Sequence, residues 1–301
     1  MKQFLIVLLG PTAVGKTKVA IDVARRLNSE IISADSRQFY GDLKIGTAAP
    51  SREELEAVKH HFVGQLGIED YYNVSSFELQ VLDFLKGYFK TRNMAVLAGG
   101  SGLYIDAVCR GIDQLPDVDE SLRAALKKEL AENGPESLRL KLKMLDPDYY
   151  AVVDLGNPNR ILRALEVCIM TGKTYSSLRK NKPQKRDFEI IKVGLNRPRE
   201  ELVEIIHHRV DKMIEDGLVE EARRLLPHRQ QNALNTVGYK EIFQVLDGNW
   251  TLDMAVEKIK TNTRRYAKRQ MTWFNKDKEI RWFHPDDRDS IMTYIGGGIQ
   301  D

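Results

Sequence analysis

The sequence predicts a parallel α/β sheet core, interrupted by a helical insertion and continued by a helical C-terminal region. Three observations predict this. Short apolar runs alternate with helically spaced stretches as far as Ala98, the tract between about Asp117 and Asp187 has helical spacing without a strand-like run, and a strand pattern resumes at Phe188.

Taken in order, Gln3 to Leu9 (QFLIVLL) is a continuous apolar run of the kind buried on both faces of a sheet, and Lys18 to Leu27 then takes helical spacing. Glu30 to Ala34 and Met94 to Ala98 repeat the strand pattern, with the helical stretch Ser76 to Lys90 before the second. From Pro116 the pattern changes. Asp119 can cap a helix carrying Leu122, Leu126 and Leu130 that stops at Asn133-Gly134-Pro135, and a second helix carries Leu138, Leu142 and Leu145. Asn159 to Met170 is again helical, Arg179 to Asp187 (RKNKPQKRD) has the polar composition of a linker, and Phe188 to Leu195 (FEIIKVGL) returns to a strand. Beyond Arg199 every segment is expected to be helical, with breaks at Asp216-Gly217 and Asp247-Gly248. The domain expectation is therefore an α/β core built from residues 1–116 and 188–301, with residues 117–187 as the insertion.

Composition narrows the function classes. The chain has 301 residues, enough for one large or two modest domains at roughly 100–200 residues each. Its 46 Lys and Arg against 43 Asp and Glu leave a net charge of +3, so any basic binding surface must come from uneven distribution. The longest apolar stretch, Phe4 to Leu9, is far short of the roughly 18 residues a membrane span needs. Gly10-Pro11-Thr12 ends it before a secretory cleavage site could follow. Cys109 and Cys168 are too few for a disulfide framework and lack the spacing of a zinc site, which makes a reducing, cytoplasmic setting without a membrane partner the expectation.

Gly10-Pro11-Thr12-Ala13-Val14-Gly15-Lys16-Thr17 fits G-x-x-x-x-G-K-[ST] between a buried strand and a helix, where a phosphate-binding P-loop must lie, so the core is expected to be P-loop NTPase-like. Backbone N–H groups and the helix N-terminus favour phosphate oxygens, Lys16 adds a point charge, and Thr17 can ligate Mg²⁺. The usual second acid is missing, since the strand Met94 to Ala98 ends in Gly99-Gly100-Ser101-Gly102. An acid stands instead at Asp35, just after Glu30 to Ala34 and hence at the same carboxyl edge of the sheet. A cap or turn residue is the plain alternative for Asp35. The cluster Asp35-Ser36-Arg37-Gln38-Phe39-Tyr40, however, joins acid, amide and aromatics in a mixture suited to a nucleobase.

The C-terminal third is strongly basic. From Lys258 to Arg281 nine Lys and Arg face only Asp277 and Glu279, an excess of +7 with Tyr266, Trp273 and Phe274 interleaved. That suits a surface that neutralises a phosphate backbone and stacks bases, and a solvated helix with its aromatics in the core is the competing account. The pairs His60-His61 and His207-His208 lack partners at metal-ligand spacing.

These motifs resemble those of the tRNA dimethylallyltransferases (tRNA isopentenyltransferases) over nearly the whole chain. They are GPTAVGKT at Gly10, SADSRQFY at Ser33, DLKIGTAAP at Asp42, AGGSGLY at Ala98, NRILRALEV at Asn159, TVGYKEI at Thr236 and RRYAKRQMTWF at Arg264. The chain looks like the compact bacterial form, without the Cys/His zinc-finger extension of some eukaryotic members. The resemblance implies transfer of a dimethylallyl group from dimethylallyl diphosphate to N6 of adenosine 37, beside the tRNA anticodon. It implies residues 10–17 as the diphosphate site, Mg²⁺ on Thr17, and Asp35, Thr12, Lys16 and Arg209 as the catalytic set, with Asp35 the base. It further implies tRNA contacts from Asp35, Ser36, Arg37 and Gln38, with Ser36 and Gln38 on the flipped adenine. Other contacts are expected from Ser101 and Arg123, from Asn159, Arg160, Ile161, Leu162 and Arg163, from Asn235, Thr236, Val237, Gly238, Tyr239 and Lys240, and from Lys268, Arg269, Gln270 and Trp273. A monomer whose partners are dimethylallyl diphosphate and the anticodon stem-loop is the working expectation. An adenylate isopentenyltransferase acting on free AMP, ADP or ATP, an ATP-using small-molecule kinase, and a non-enzymatic RNA-binding module remain as alternatives. The basic aromatic tail speaks against the first two, and an intact phosphate loop against the third.

Overall fold

A computed structural model describes residues 2–113, 115–180 and 182–300. Gln114, and Asn181 in the expected linker, lie outside the described residues. The chain forms two compact units, Met1–Cys109 with Arg186–Asp301, and Arg110–Lys185.

The first unit is built on six parallel strands: β1 (Phe4–Leu9), β2 (Ile31–Ala34), β3 (His60–His61), β4 (Met94–Gly99), β5 (Glu189–Leu195) and β6 (Arg281–Phe283), in the order β3-β2-β4-β1-β5-β6. Every residue of β1 is buried because the strand has a neighbour on each side and a layer of side chains on each face. Leu5, Val7 and Leu9 pack into one apolar cluster, and Phe4, Ile6 and Leu8 into the other. The second cluster contains the apolar face of α1 (Lys16–Arg26); the first takes in Phe77, Val81 and Leu85 of α3 (Val74–Tyr88) and Ile105 of α4 (Gly102–Arg110). A short helix, α2 (Arg52–Ala57), begins in a capping box between Ser51 and Glu54.

The described residues of the second unit carry α5 (Glu120–Leu145), α6 (Pro147–Val152), α7 (Pro158–Thr171) and α8 (Tyr175–Leu178). The Asp119 side chain accepts the Ser121 and Leu122 N–H groups, as an N-cap must. At Gly134 φ is 73°, and Pro135 opens the next turns, so α5 is two helices joined by a break where the sequence predicts one. Leu126, Leu138, Leu142, Ile161, Leu162 and Leu165 form this unit's core.

After β5 the chain continues through α9 (Arg199–Glu215), α10 (Leu218–Leu225), α11 (Tyr239–Leu246), α12 (Leu252–Phe274) and α13 (Arg288–Gln300). The breaks at Gly217 and Gly248 fall where expected. The expectation of helix throughout is wrong at β6. Arg281–Phe283 adds a three-residue edge strand to Val193–Leu195, too short to show an alternating pattern. Among the described residues no helix is long and apolar enough to cross a membrane. Neither Cys109 nor Cys168 is in a disulfide, and both are buried.

Phe39 and Tyr40, read from the sequence as base-stacking candidates, belong to the core. Phe39 is 0% exposed, with its ring centroid 5.2 Å from both Phe77 and Tyr72. Truncating it to Ala should therefore lower stability by about 3–5 kcal/mol, the usual range for a buried Phe. Urea melts of the Phe39→Ala protein check this.

Candidate active site

The strand register places three loop origins side by side. Leu9 pairs with Gly99, and Gly99 with Ala34, so the P-loop, the β4–α4 turn and the Asp35 segment all leave the same edge of the sheet. Left-handed turns at Ala13 (φ 67°) and Gly15 (φ 101°) curl the P-loop over the start of α1, and the second would strain any residue but glycine. Lys16 Nζ donates to the Pro11 carbonyl at 2.7 Å. Desolvation in the cleft brings the Lys16 pKa down to about 8; the Asp35 carboxylate opposes that shift and the Arg209 guanidinium adds to it.

Asp35 follows β2. Its Oδ1 accepts the Arg37 N–H at 3.0 Å, and the neighbouring Ser36 N–H donates to Ser101 Oγ at 3.0 Å. Ser101, expected to touch tRNA, thus also ties the acid's turn to the β4–α4 loop. Arg209 comes from α9 and donates to the Thr47 carbonyl at 3.4 Å. Burial lowers its pKa while Asp35 holds it up.

A fourth loop, carrying Lys44 to Thr47, closes the site. Glu221 of α10 is 2% exposed, and its carboxylate accepts the N–H groups of Lys44, Ile45 and Gly46 at 2.9–3.2 Å together with the Tyr239 hydroxyl at 2.6 Å. Burial and Glu221 raise the Tyr239 pKa, keeping the phenol a donor. The fixed loop presents the Thr47 and Ala48 carbonyls to Gln38 Nε2 at 3.2 and 3.0 Å, and the Gln38 Oε1 accepts from Ser33 Oγ at 3.4 Å.

Two cavities meet here. One of about 390 Å³ is lined by the P-loop from Thr12 to Thr17, with Ser33, Gln38 and Gln270. The other, of about 720 Å³, is lined by Ser36, Arg37, Asn235–Gly238, Lys240, Tyr266 and Arg269 among others. Thr12, Asp35 and Arg209 line both. Burial, with the Asp35 charge next, pushes the Tyr266 hydroxyl up to about 12, so the ring enters the larger cavity as a neutral phenol.

Several sequence expectations need correction. Tyr239 is fully buried on the inner side of α11 and is a packing residue, whereas its neighbours from Asn235 to Gly238 and Lys240 face the cavity. Ile161 and Leu162 lie in the core of the second unit, which leaves Asn159 and Arg160 as the exposed residues of that motif. In the same unit Arg123 grips the buried Glu166 through two hydrogen bonds of 2.5 and 2.7 Å, and Arg163 joins it at 3.4 Å. The Gln38 amide is bonded to the Thr47 and Ala48 carbonyls while the residue lines the smaller cavity. Gln270 is buried in α12. Trp273 Nε1 donates to Asp106 at 2.8 Å, whereas Lys268 and Arg269 are exposed. Of the basic tract, Lys260 is bound to Asp211 and Glu257 within the chain, and Phe274 is core.

Glu221 escaped the sequence reading, although a signal existed. It stands on the Leu218, Ala222 and Leu225 face of α10, an acid in an apolar stripe.

The arrangement defines a P-loop protein with Thr12, an acid and an arginine at the junction of two cavities. The chain belongs to the IPP transferase family, whose model matches residues 38–277. It is 52% identical to tRNA dimethylallyltransferase 1 of Phocaeicola vulgatus, covering 98% of both chains, and 54% identical to tRNA dimethylallyltransferase 2 of Azobacteroides pseudotrichonymphae, over 96% of this chain and 94% of that one. Its fold matches the crystal structure of the tRNA isopentenylpyrophosphate transferase of Bacillus halodurans with a TM-score of 0.73 at 34% identity, covering 99% and 97% of the two chains.

The lowered pKa of Lys16 gives a pH prediction. Only the protonated amine attracts diphosphate, so the Lys16 contribution to affinity, read as the difference from Lys16→Ala at each pH, should be level below about pH 7 and fall as pH rises through about 8. Calorimetric titration of inorganic diphosphate should show this decline in the wild type relative to Lys16→Ala, which binds more weakly and lacks that component.

Proposed function

We propose that the protein transfers the dimethylallyl group of dimethylallyl diphosphate to N6 of adenosine 37 in the tRNA anticodon loop, releasing diphosphate. One observation carries this reading: Asp35, Thr12 and Arg209 stand where the phosphate cavity opens into the larger one. A base flipped out of the loop would enter the larger cavity. Its N6 lone pair attacks the allylic carbon, the carbon–oxygen bond to diphosphate breaks, and Asp35 takes the proton that N6 gives up. The side-chain hydroxyl of Thr12 serves the leaving oxygen, because the Thr12 N–H is already engaged. Lys16 and Arg209 neutralise the departing charge, and their fixed placement is what makes such stabilisation effective. The Thr17 hydroxyl lines the smaller cavity and would hold Mg²⁺ there as a hard oxygen donor. When bound, the ion adds charge neutralisation on the diphosphate.

Recognition of tRNA falls to the exposed bases of α12, Lys268 and Arg269, to the cavity rim at Asn235–Gly238 and Lys240, and to Asn159 and Arg160 in the second unit. The same site acting on free AMP would have no use for the charge on α12. Incubating the enzyme with dimethylallyl diphosphate, Mg²⁺ and either unmodified tRNA or AMP, then analysing nucleosides by mass spectrometry, separates the two. Prenylated adenosine in tRNA alone is the expected result.

Two variants sharpen the test. Asp35→Ala should lose about 10²–10⁴ in single-turnover rate, the contribution typical of a general base, with tRNA affinity within a few-fold of wild type. For Lys268→Ala with Arg269→Ala, tRNA binding measured across a salt series should show a slope of log affinity against log salt smaller by about 0.7–0.9 per lost phosphate contact. Thermal melts of both proteins exclude misfolding.

A further inference from the structure

Gln270 stands on the buried stripe of α12 with Ala267 and Phe274, yet it is a polar residue. Its Oε1 accepts the Thr12 N–H at 2.8 Å, and its Nε2 donates to the Gly100 carbonyl at 2.8 Å. Gly100 has no side chain where a methyl group would sit on the Gln270 amide, so the β4–α4 turn is shaped to receive it. One buried amide therefore joins three segments: the P-loop, the turn that carries Ser101, and the helix whose adjacent residue Arg269 lines the larger cavity. A P-loop N–H that would otherwise be open to phosphate is turned toward the protein. This leaves the Thr12 side chain at the junction of the two cavities.

Taking the transfer proposed above as the reaction, we infer that Gln270 is a positioning residue. It fixes Thr12 and thereby sets the donor end of the site, and it does not contact tRNA. The residue is 7% exposed, and both ends of its amide are bonded within the protein. An amide is required because the two partners are opposite in kind, one an N–H and the other a carbonyl. Glutamate can accept from Thr12 but cannot donate to Gly100, and methionine fills the space with neither capacity.

The experiment compares Gln270→Met and Gln270→Glu with the wild type in three measurements: calorimetric affinity for inorganic diphosphate, affinity for unmodified tRNA, and steady-state kinetics with both substrates. Both variants should bind diphosphate at least ten-fold more weakly and lose ten-fold or more in kcat, with tRNA affinity unchanged within about two-fold. Gln270→Glu should be the more affected for diphosphate, since it also brings a negative charge to the phosphate cavity. Wild-type diphosphate affinity and kcat in both variants, with only the melting temperature lowered, would overturn the inference in favour of a packing role. So would loss of tRNA affinity with diphosphate binding intact, which is the outcome a direct tRNA contact requires. The diphosphate arm does not depend on the acceptor, so a wild type that prenylates AMP and not tRNA would refute the proposed function while still testing Gln270.

Discussion

The pairing of β1 with β4, and of β4 with β2, is the constraint on which the site rests. Parallel neighbours bring their carboxyl ends to one edge, and here the register is close enough that Leu9, Gly99 and Ala34 form a row. Slipping any of these strands by one residue would turn its side chains to the opposite face and separate the P-loop from Asp35. The complete burial of β1 guards against this, because all six of its side chains already have assigned faces.

On that frame the molecule uses buried polar groups as fasteners. Glu221 secures the 44–46 loop, Gln270 the P-loop, and Glu241 accepts the Gly238 N–H at 2.8 Å and the Asn262 amide at 2.7 Å beside the larger cavity. In the second unit Glu166 gathers Arg123 and Arg163. Each fastener is largely saturated, which is the condition under which burial of a polar group is tolerated. Lys16 and Arg209 differ. Both are desolvated beside a single acid, and desolvated charge is what a polyanionic substrate can exploit.

The strands that bear the site were readable because β1, β2, β4 and β5 are apolar runs at P-loop spacing, and the helix break at Gly134-Pro135 was readable from its residue types alone. The two-residue β3 and three-residue β6 were not, since a period cannot appear in so few residues. Within the site, Lys16, Thr17 and Asp35 could be found by motif. The inward turn of Tyr239, Ile161 and Leu162 could not, because a motif names a segment without saying which of its residues faces the interior. Glu221 and Gln270 lie between these cases. Both interrupt an apolar stripe at helical spacing, a pattern that marks a buried polar group without naming what it holds.

The Glu221 arrangement has a consequence for anion selectivity. Three successive backbone amides converging on one point form a nest of the sort that captures phosphate or sulfate. In this protein the chain plugs that nest with its own carboxylate, tethered from another helix and backed by a phenol. The N–H groups of Lys44, Ile45 and Gly46 are therefore satisfied from within the chain, and this nest offers no free donors to an external anion.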